Sequence, residues 1–361
     1  MKNSLTKNLI RNDSYTSSKK KMIISLIVLL FALIILFFFS VFIGPSSISF
    51  KESVLALFNK GEKSTILIIH NIRVPRVLAG LVIGGGLSIA GLVMQTSLNN
   101  SMASPSTLGV SNAAVFGANI AIILLNGGKI LGMTINYTNS YFVSLFAFFF
   151  AFLTILIILF LAKIKHFSSS NIILTGVAFS SFFTALTTLV QYFANDVTLS
   201  SAVYWSFGDL SRISYKEILI VFIVVFLSMI FFLFSSNKYN LLLLGDEVSK
   251  TSMKNVETFR IISLLLSSII TAICISFVGI IGFIGLICPH IVKRLFKCNH
   301  FYLILASFLI GSLLLLISDD IARIILKGFS LPVGAITSVI GTPFFLYIIF
   351  ASTRRKSYDW V

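Results

Sequence analysis

"IISLLLSSIITAICISFVGIIGFIGLICPHIV", residues 261–292, runs for 32 residues without an Asp, Glu, Lys or Arg. One bilayer crossing takes about 20 residues of helix, so the run is too long for one crossing and short of two. Gly279, Gly282 and Gly285, followed by Pro289, indicate how it divides. Glycine permits turns and proline removes a backbone donor, so a long helix stops near Gly279 and a shorter, broken one returns through "IGFIGLICPHIV". Broken helices at membrane depth imply a cavity lined by protein.

Similar apolar runs recur along the chain, near 22–43, 77–98, 108–125, 141–162, 171–194, 218–234, 301–318 and 333–350. Of its 361 residues 57% are hydrophobic and 11% charged, with mean hydropathy +1.00. Soluble domains carry about 25% charged residues, so the composition predicts an all-α membrane protein. The first run exceeds a signal peptide's apolar core, and "VFIGPSS" offers no small-residue cleavage site, so it reads as a retained span.

Basic residues set the parity. Ten crossings with both termini cytoplasmic put 18 Lys and Arg inside and 10 outside, whereas nine crossings divide them 14 to 14. The positive-inside rule selects ten. The expected organisation is a cytoplasmic tail at 1–21, a ten-helix domain at 22–350 with a cytoplasmic loop at 235–260, and a cytoplasmic tail at 351–361. The net charge of +16 lies in loops between spans rather than in a basic domain, so it predicts topology and not nucleic-acid binding.

Several chemistries lack their residues. No G-x-x-x-x-G-K-[ST] loop is present to cradle a nucleotide phosphate; the "GGK" at 127–129 is followed by Ile130. The four histidines, His70, His166, His290 and His300, are dispersed, and Cys274, Cys288 and Cys298 show no C-x-x-C spacing, so no metal site or cofactor is expected. The carboxylates touching a span are Asp319 and Asp320 at its outer end, which leaves no acidic group at mid-depth for ion coupling. The energy source is therefore expected on another chain.

One span is unusually polar. "TGVAFSSFFTALTTLVQ", 175–191, sets Ser180, Thr184, Thr187 or Thr188, and Gln191 on one side at helical spacing. The stripe either lines a passage or packs helices through hydroxyl bonds worth about 0.6 kcal/mol each.

The chain resembles the FecCD-type permeases, the transmembrane subunits of type II ABC importers for iron-siderophores, haem and cobalamin. The resemblance runs from about Arg73 to Phe350 and rests on "RVPR" at 73–76, "LGVSNAA" at 108–114, "GFIGLICPH" at 282–290, "DDIAR" at 319–323 and "LPVGAITSVIGTPFF" at 331–345, in the family's order. It implies a non-catalytic subunit that pairs with a second permease subunit, two cytoplasmic ABC ATPase subunits and an external substrate-binding lipoprotein, and that moves an iron(III)-siderophore, or alternatively haem or cobalamin, inward. A secondary, ion-coupled transporter is the rival of another class; it would show paired broken helices in both halves, and only 279–292 reads as broken.

The resemblance also assigns residues. Arg73, Arg76 and Arg323 match positions that receive acidic side chains of the docked binding protein, and they are expected at the outer surface. The segment 241–260 matches the element that docks in the ATPase, with Gly245, Asp246, Glu247, Val248, Lys250, Met253 and Val256 as its coupling residues. Read from the residues alone, that segment mixes Leu244, Val248, Met253 and Val256 with charges at helical spacing, which suits a partner's groove. It departs from the family where Ser252-Met253 stands in place of Leu-Gly, removing the usual glycine joint. Asn100-Ser101 replaces Asn-Pro, and Asp209 replaces the Ser of Trp-x-x-Gly-Ser-Leu.

Overall fold

The structure, a computed structural model, describes residues 2–44, 48–125, 140–164, 169–296, 299–326 and 328–356. Among these residues there is no strand. Each apolar run forms a helix. In chain order the elements are α1 (Lys2–Phe42), α2 (Phe50–Leu57), α3 (Lys63–Ile68), α4 (Val74–Ser97), α5 (Val110–Asn119), α6 (Ser140–Ile164), α7 (Ser169–Tyr192) and α8 (Asp196–Ser206). They continue as α9 (Tyr215–Phe234), α10 (Ser236–Leu242), α11 (Asp246–Ser252), α12 (Val256–Val278), α13 (Ile284–Leu295), α14 (His300–Ile324) and α15 (Val333–Lys356). Among the described residues, seven helical stretches are long and apolar enough to cross a membrane, and Val110–Leu125 and Val333–Tyr347 are shorter apolar helices.

The 261–292 run divides as its glycines imply. α12 ends at Val278, Gly279 turns the chain at φ 79°, Phe283 sits at φ 65°, and α13 restarts at Ile284. At 1.5 Å per residue, the 23 residues of α12 span about 35 Å and the 12 of α13 about 18 Å, a full and a half crossing. Pro289 lies inside α13 without ending it.

α4 is the hub, buried almost throughout from Pro75 to Ser97. Its small residues let neighbours approach to backbone contact. A Cβ on Gly84 would lie 2.5 Å from the carbonyl oxygen of Gly311 in α14, and one on Gly91 would overlap the Gly285 carbonyl in α13. Ser88 donates to the Ser307 carbonyl at 2.7 Å between the two glycine contacts. With lipid outside, such close packing replaces the hydrophobic drive that holds soluble helices together.

These contacts also order the bundle along its axis. Arg76 meets Asp319 at one end of the α4–α14 pair and Thr96 meets His300 at the other, so the two helices are antiparallel. α13 starts against Gly91, the eighteenth of the 24 residues of α4, and runs to its Gln95 end, where Lys293 donates to Gln95. Residues 40–44, 70–76, 209, 319–323 and 330 therefore share one end of the bundle, and 95–96, 239–263, 293 and 300 the other.

Helix is continuous from Lys63 through Pro75 to Ser97. Proline cannot donate to the carbonyl four residues back, and its ring crowds that carbonyl. The chain absorbs this by opening Ile69–Arg73 into a π-helical turn, with the Val74 amide bonding Ile69. Arg73 and Arg76 consequently belong to the helix body.

Candidate functional site

The first candidate site is the arginine cluster. Arg73, Arg76 and Arg323 are only 3%, 5% and 2% exposed, so the expectation of surface arginines is corrected: all three point inward. Arg76 donates through Nε to Asp319 at 2.9 Å and through a terminal nitrogen to Ser330 Oγ at 2.7 Å; Asp209 lies 3.9 Å away. Asp319, fully buried, also pairs with Arg323 at 3.0 Å and so bridges two guanidinium groups. Arg323 reaches Asp320 at 2.5 Å and donates to the carbonyls of Ser40 at 2.9 Å and Ile43 at 2.7 Å. Arg73 donates to the Phe42 carbonyl at 2.8 Å, and Ser40 Oγ to Asp320 at 2.6 Å.

The physical reason is the end of α1. The last carbonyls of a helix have no partner within it, and here cationic side chains satisfy them while meeting the negative end of the helix dipole. The local sequence pattern could not reveal this, because Arg323 lies 283 residues from Ser40 and Arg76 243 from Asp319.

The polar stripe of α7 is brought together in part. Thr184, Thr187, Thr188 and Gln191 line a cleft of about 280 Å³ with Asn112, Ser206 and Ile280, beside the break between α12 and α13. Ser180 stands outside that lining and accepts Asn112 Nδ2 through its carbonyl at 3.2 Å. The threonine hydroxyls donate to carbonyls one turn back, at 2.8 Å from Thr184 and Thr187 and 3.0 Å from Thr188, and Thr184 Oγ1 accepts from Asn112 Nδ2 at 3.2 Å. Gln191 donates to Asn119 at 3.0 Å. Asn112 and Asn119 were missed as partners of the stripe; their spacing of seven on α5 is the signal that could have found them. Among the described residues, no group of three His, Cys, Asp or Glu side chains could hold a metal ion.

At the opposite end lies the 241–260 segment. Leu244 and Val248 are 62% and 42% exposed, and Asp246, Glu247 and Lys250 are also exposed, so this part of the segment is free to meet a partner. Two of the expected coupling residues are not. Val256 is 5% exposed and Met253 half-buried, both packed on the core formed by α4, α9 and α12. Gly245, at φ 99°, starts α11 in a conformation side chains rarely adopt. The missing glycine joint is replaced by Asn255 at φ 60°, since asparagine tolerates the left-handed region better than most residues.

Sequence reasoning also missed what anchors this segment. Asp246 accepts from Arg260 at 2.5 Å, and that guanidinium holds the carboxyl below its usual range. A lowered carboxylate pKa means the pair is fully present above the ordinary Asp range and is lost only as pH falls through the lowered value. Ser249, fully buried, donates to the Leu241 and Gly245 carbonyls. Next to it, His300 bonds Asn240 at 2.8 Å through Nδ1 and Thr96 at 3.0 Å through Nε2, joining α10 to α4.

Known proteins share this architecture. A relative from Methanocaldococcus jannaschii, named as an ABC transporter permease, is 42% identical over 318 residues, covering 88% of this chain and 91% of its own. A Helicobacter pylori protein named a probable iron chelatin transport system permease is 35% identical over 294 residues, covering 81% and 86%. A solved inward-facing metal-chelate type ABC transporter matches 90% of this chain and 98% of its own with TM-score 0.77 at 28% identity. The model of the FecCD transport family matches residues 32–351, so this multi-pass membrane protein belongs to that family as an ABC transporter permease.

Proposed function

We propose that the chain is the permease subunit of an ATP-driven importer that carries an iron(III)-siderophore inward. The observation that supports this reading is the break after α12, where Ile280, ahead of the 12-residue α13, lines with α7 a cleft walled by neutral oxygens rather than carboxylates. Such a lining can hydrogen-bond a polar chelate and offers no titratable group to a coupling ion. The names of the iron chelatin and metal-chelate relatives favour iron; haem and cobalamin are the alternative cargoes.

On this reading a second permease subunit covers the exposed polar face of α7, so that Ser180, Thr184, Thr187, Thr188 and Gln191 meet a passage between the subunits. Two cytoplasmic ATPases supply the energy through Gly245, Asp246, Glu247, Val248 and Lys250, with Met253 and Val256 supporting that surface from beneath. An external binding lipoprotein delivers cargo to the end of the bundle that holds Arg73, Arg76 and Arg323. Because these arginines are engaged internally, a docking carboxylate must compete for them or meet the surface they organise.

Reconstitution tests the energy source. Proteoliposomes holding the permease, its ATPase and its binding lipoprotein should accumulate a labelled ferric siderophore with ATP and not with a proton or sodium gradient alone. Gradient-driven uptake without ATP would make the protein a secondary transporter. A binding lipoprotein that selects haem or cobalamin from a chelate panel would move the cargo and leave the mechanism standing.

Ten crossings with both termini cytoplasmic complete the proposal: the seven long helices, α5 with its π turn, α13 and α15 supply the ten. The tails at 1–21 and 351–361 would then lie inside, although residues 1 and 357–361 fall outside the described residues. Ser357→Cys in a cysteine-free background should resist an impermeant thiol reagent on intact cells and react after permeabilisation. Labelling of intact cells would refute the parity.

A further inference from the structure

We infer that Arg260 is the positioning residue that fixes the orientation of α11 for coupling, a role that rests on the coupling reading of the 241–260 segment. α11 is two turns long and is followed by an extended Met253 and a left-handed Asn255, so the backbone on its C-terminal side is a hinge rather than a continuing helix. A helix this short is not stable by itself in water. Its direction must be set by side chains.

Two do so. Ser249 faces inward and ties α11 to the carbonyl of Leu241 in α10 at 3.0 Å. Arg260, 4% exposed in the first turns of α12, reaches back 14 residues to Asp246 at the first turn of α11. The hinge lies between these two residues, so the pair closes a loop across it. A carboxylate at the first turn also suits the positive end of the α11 dipole.

The Asp246 side chain is 59% exposed, which would make an ordinary ion pair weak. Arg260 is different, because its guanidinium is buried at 5% side-chain exposure. A buried cation gains more from its partner than an exposed one does, and the planar fork fixes an angle that a lysine ammonium would not. What the clamp holds outward is the exposed set of Leu244, Glu247, Val248 and Lys250. In the family pattern a Leu-Gly joint stands where this chain has Ser252 and Met253. Here a left-handed asparagine turn is combined with a side-chain clamp.

Arg260→Gln keeps a polar side chain of similar length and removes the charge. In the full-length permease in lipid nanodiscs, amide hydrogen exchange across 246–252 should accelerate roughly tenfold, the scale of losing a charged hydrogen bond, while α4 and α14 keep their protection. In proteoliposomes with the ATPase and binding lipoprotein, the cargo moved per ATP hydrolysed should fall several-fold. Arg260→Lys should restore protection in part and the transport ratio less, because it keeps charge without the fork. A residue that only stabilised the protein would lower its amount and leave the ratio unchanged, and that outcome overturns the positioning role. Unchanged exchange in 246–252 also overturns it while leaving the coupling reading intact. Faster exchange with an unchanged ratio would instead sink the coupling reading of α11.

Discussion

Asp319→Ala is expected to be among the most damaging single substitutions in the chain, lowering stability by about 3–5 kcal/mol. The carboxylate is fully buried and shared by Arg76 and Arg323, so its loss leaves Arg76 buried without its close partner and Arg323 with Asp320 alone. Removing one partner of a buried pair costs more than the pair contributes, because the remaining charge has lost its solvation as well. The effect should appear as a depressed unfolding midpoint in detergent and as reduced abundance in the membrane. Asp209→Ala is the control: its carboxylate is 3.9 Å from Arg76 and 29% exposed, so about 1 kcal/mol or less is at stake. Arg76→Leu combined with Asp319→Leu should cost less than Asp319→Ala alone, since Arg323 keeps Asp320 and no unpaired charge remains. A parental midpoint in Asp319→Ala would show that the cluster does not hold its end of the bundle together.

The same geometry changes what charge reversal of the arginines would mean. Had Arg73 and Arg76 been exposed, Arg73→Glu with Arg76→Glu would have weakened capture of a binding protein without touching the permease. Buried as they are, the double reversal places two carboxylates beside Asp319 and the Phe42 carbonyl, and loss of folded permease is the first effect to expect. Docking must therefore be measured per folded molecule. Arg76→Lys is the informative variant, since it keeps the charge and loses the bidentate fork.

What the sequence made legible and what it hid follow from the range of the interactions. The apolar runs became helices because hydrophobic length is a local property, and the break at Gly279 was readable because glycine's turn preference is local too. The π turn at Ile69–Arg73 was not readable: Pro75 signals a helix start in most contexts, and only burial by α14 and α1 makes the preceding turn worth keeping helical. The arginines were expected on one side of the membrane at an exposed surface; they do share one end of the bundle, but buried. Nothing near Arg76 in sequence announces Asp319, and the charge pattern cannot distinguish an exposed cation from one whose partner folds onto it from a distant helix. Met253 and Val256 failed for a related reason. Spacing was read straight through the joint at Ser252-Met253, whereas the extended Met253 and left-handed Asn255 reset the phase and turn Val256 to the core.

Gly91→Val tests the feature on which the half-helix depends. Gly91 lies fully within α4, and a Cβ there would overlap the carbonyl oxygen, carbonyl carbon and Cα of Gly285, all backbone atoms of α13. No side chain can swing away to make room, so α13 must shift bodily. That shift would break the bond from Gln95 Nε2 to the Leu286 carbonyl and draw Lys293 from Gln95. Overpacking of a rigid site costs about 3 kcal/mol or more, at the upper end of what added methyl groups do in cores. Gly282→Ala is the contrast within the same broken region. Its Cβ would meet only Ser338 Oγ at 3.1 Å, a hydroxyl that can rotate aside, so stability should hardly change. Unfolding midpoints of the two variants should therefore separate widely, and Gly91→Val should also lose transport in any molecules that fold, because α13 no longer packs where Gln95 holds it against α4. Equal midpoints would mean that α4 and α13 are not packed backbone to backbone, and the placement of the half-helix would fall with them.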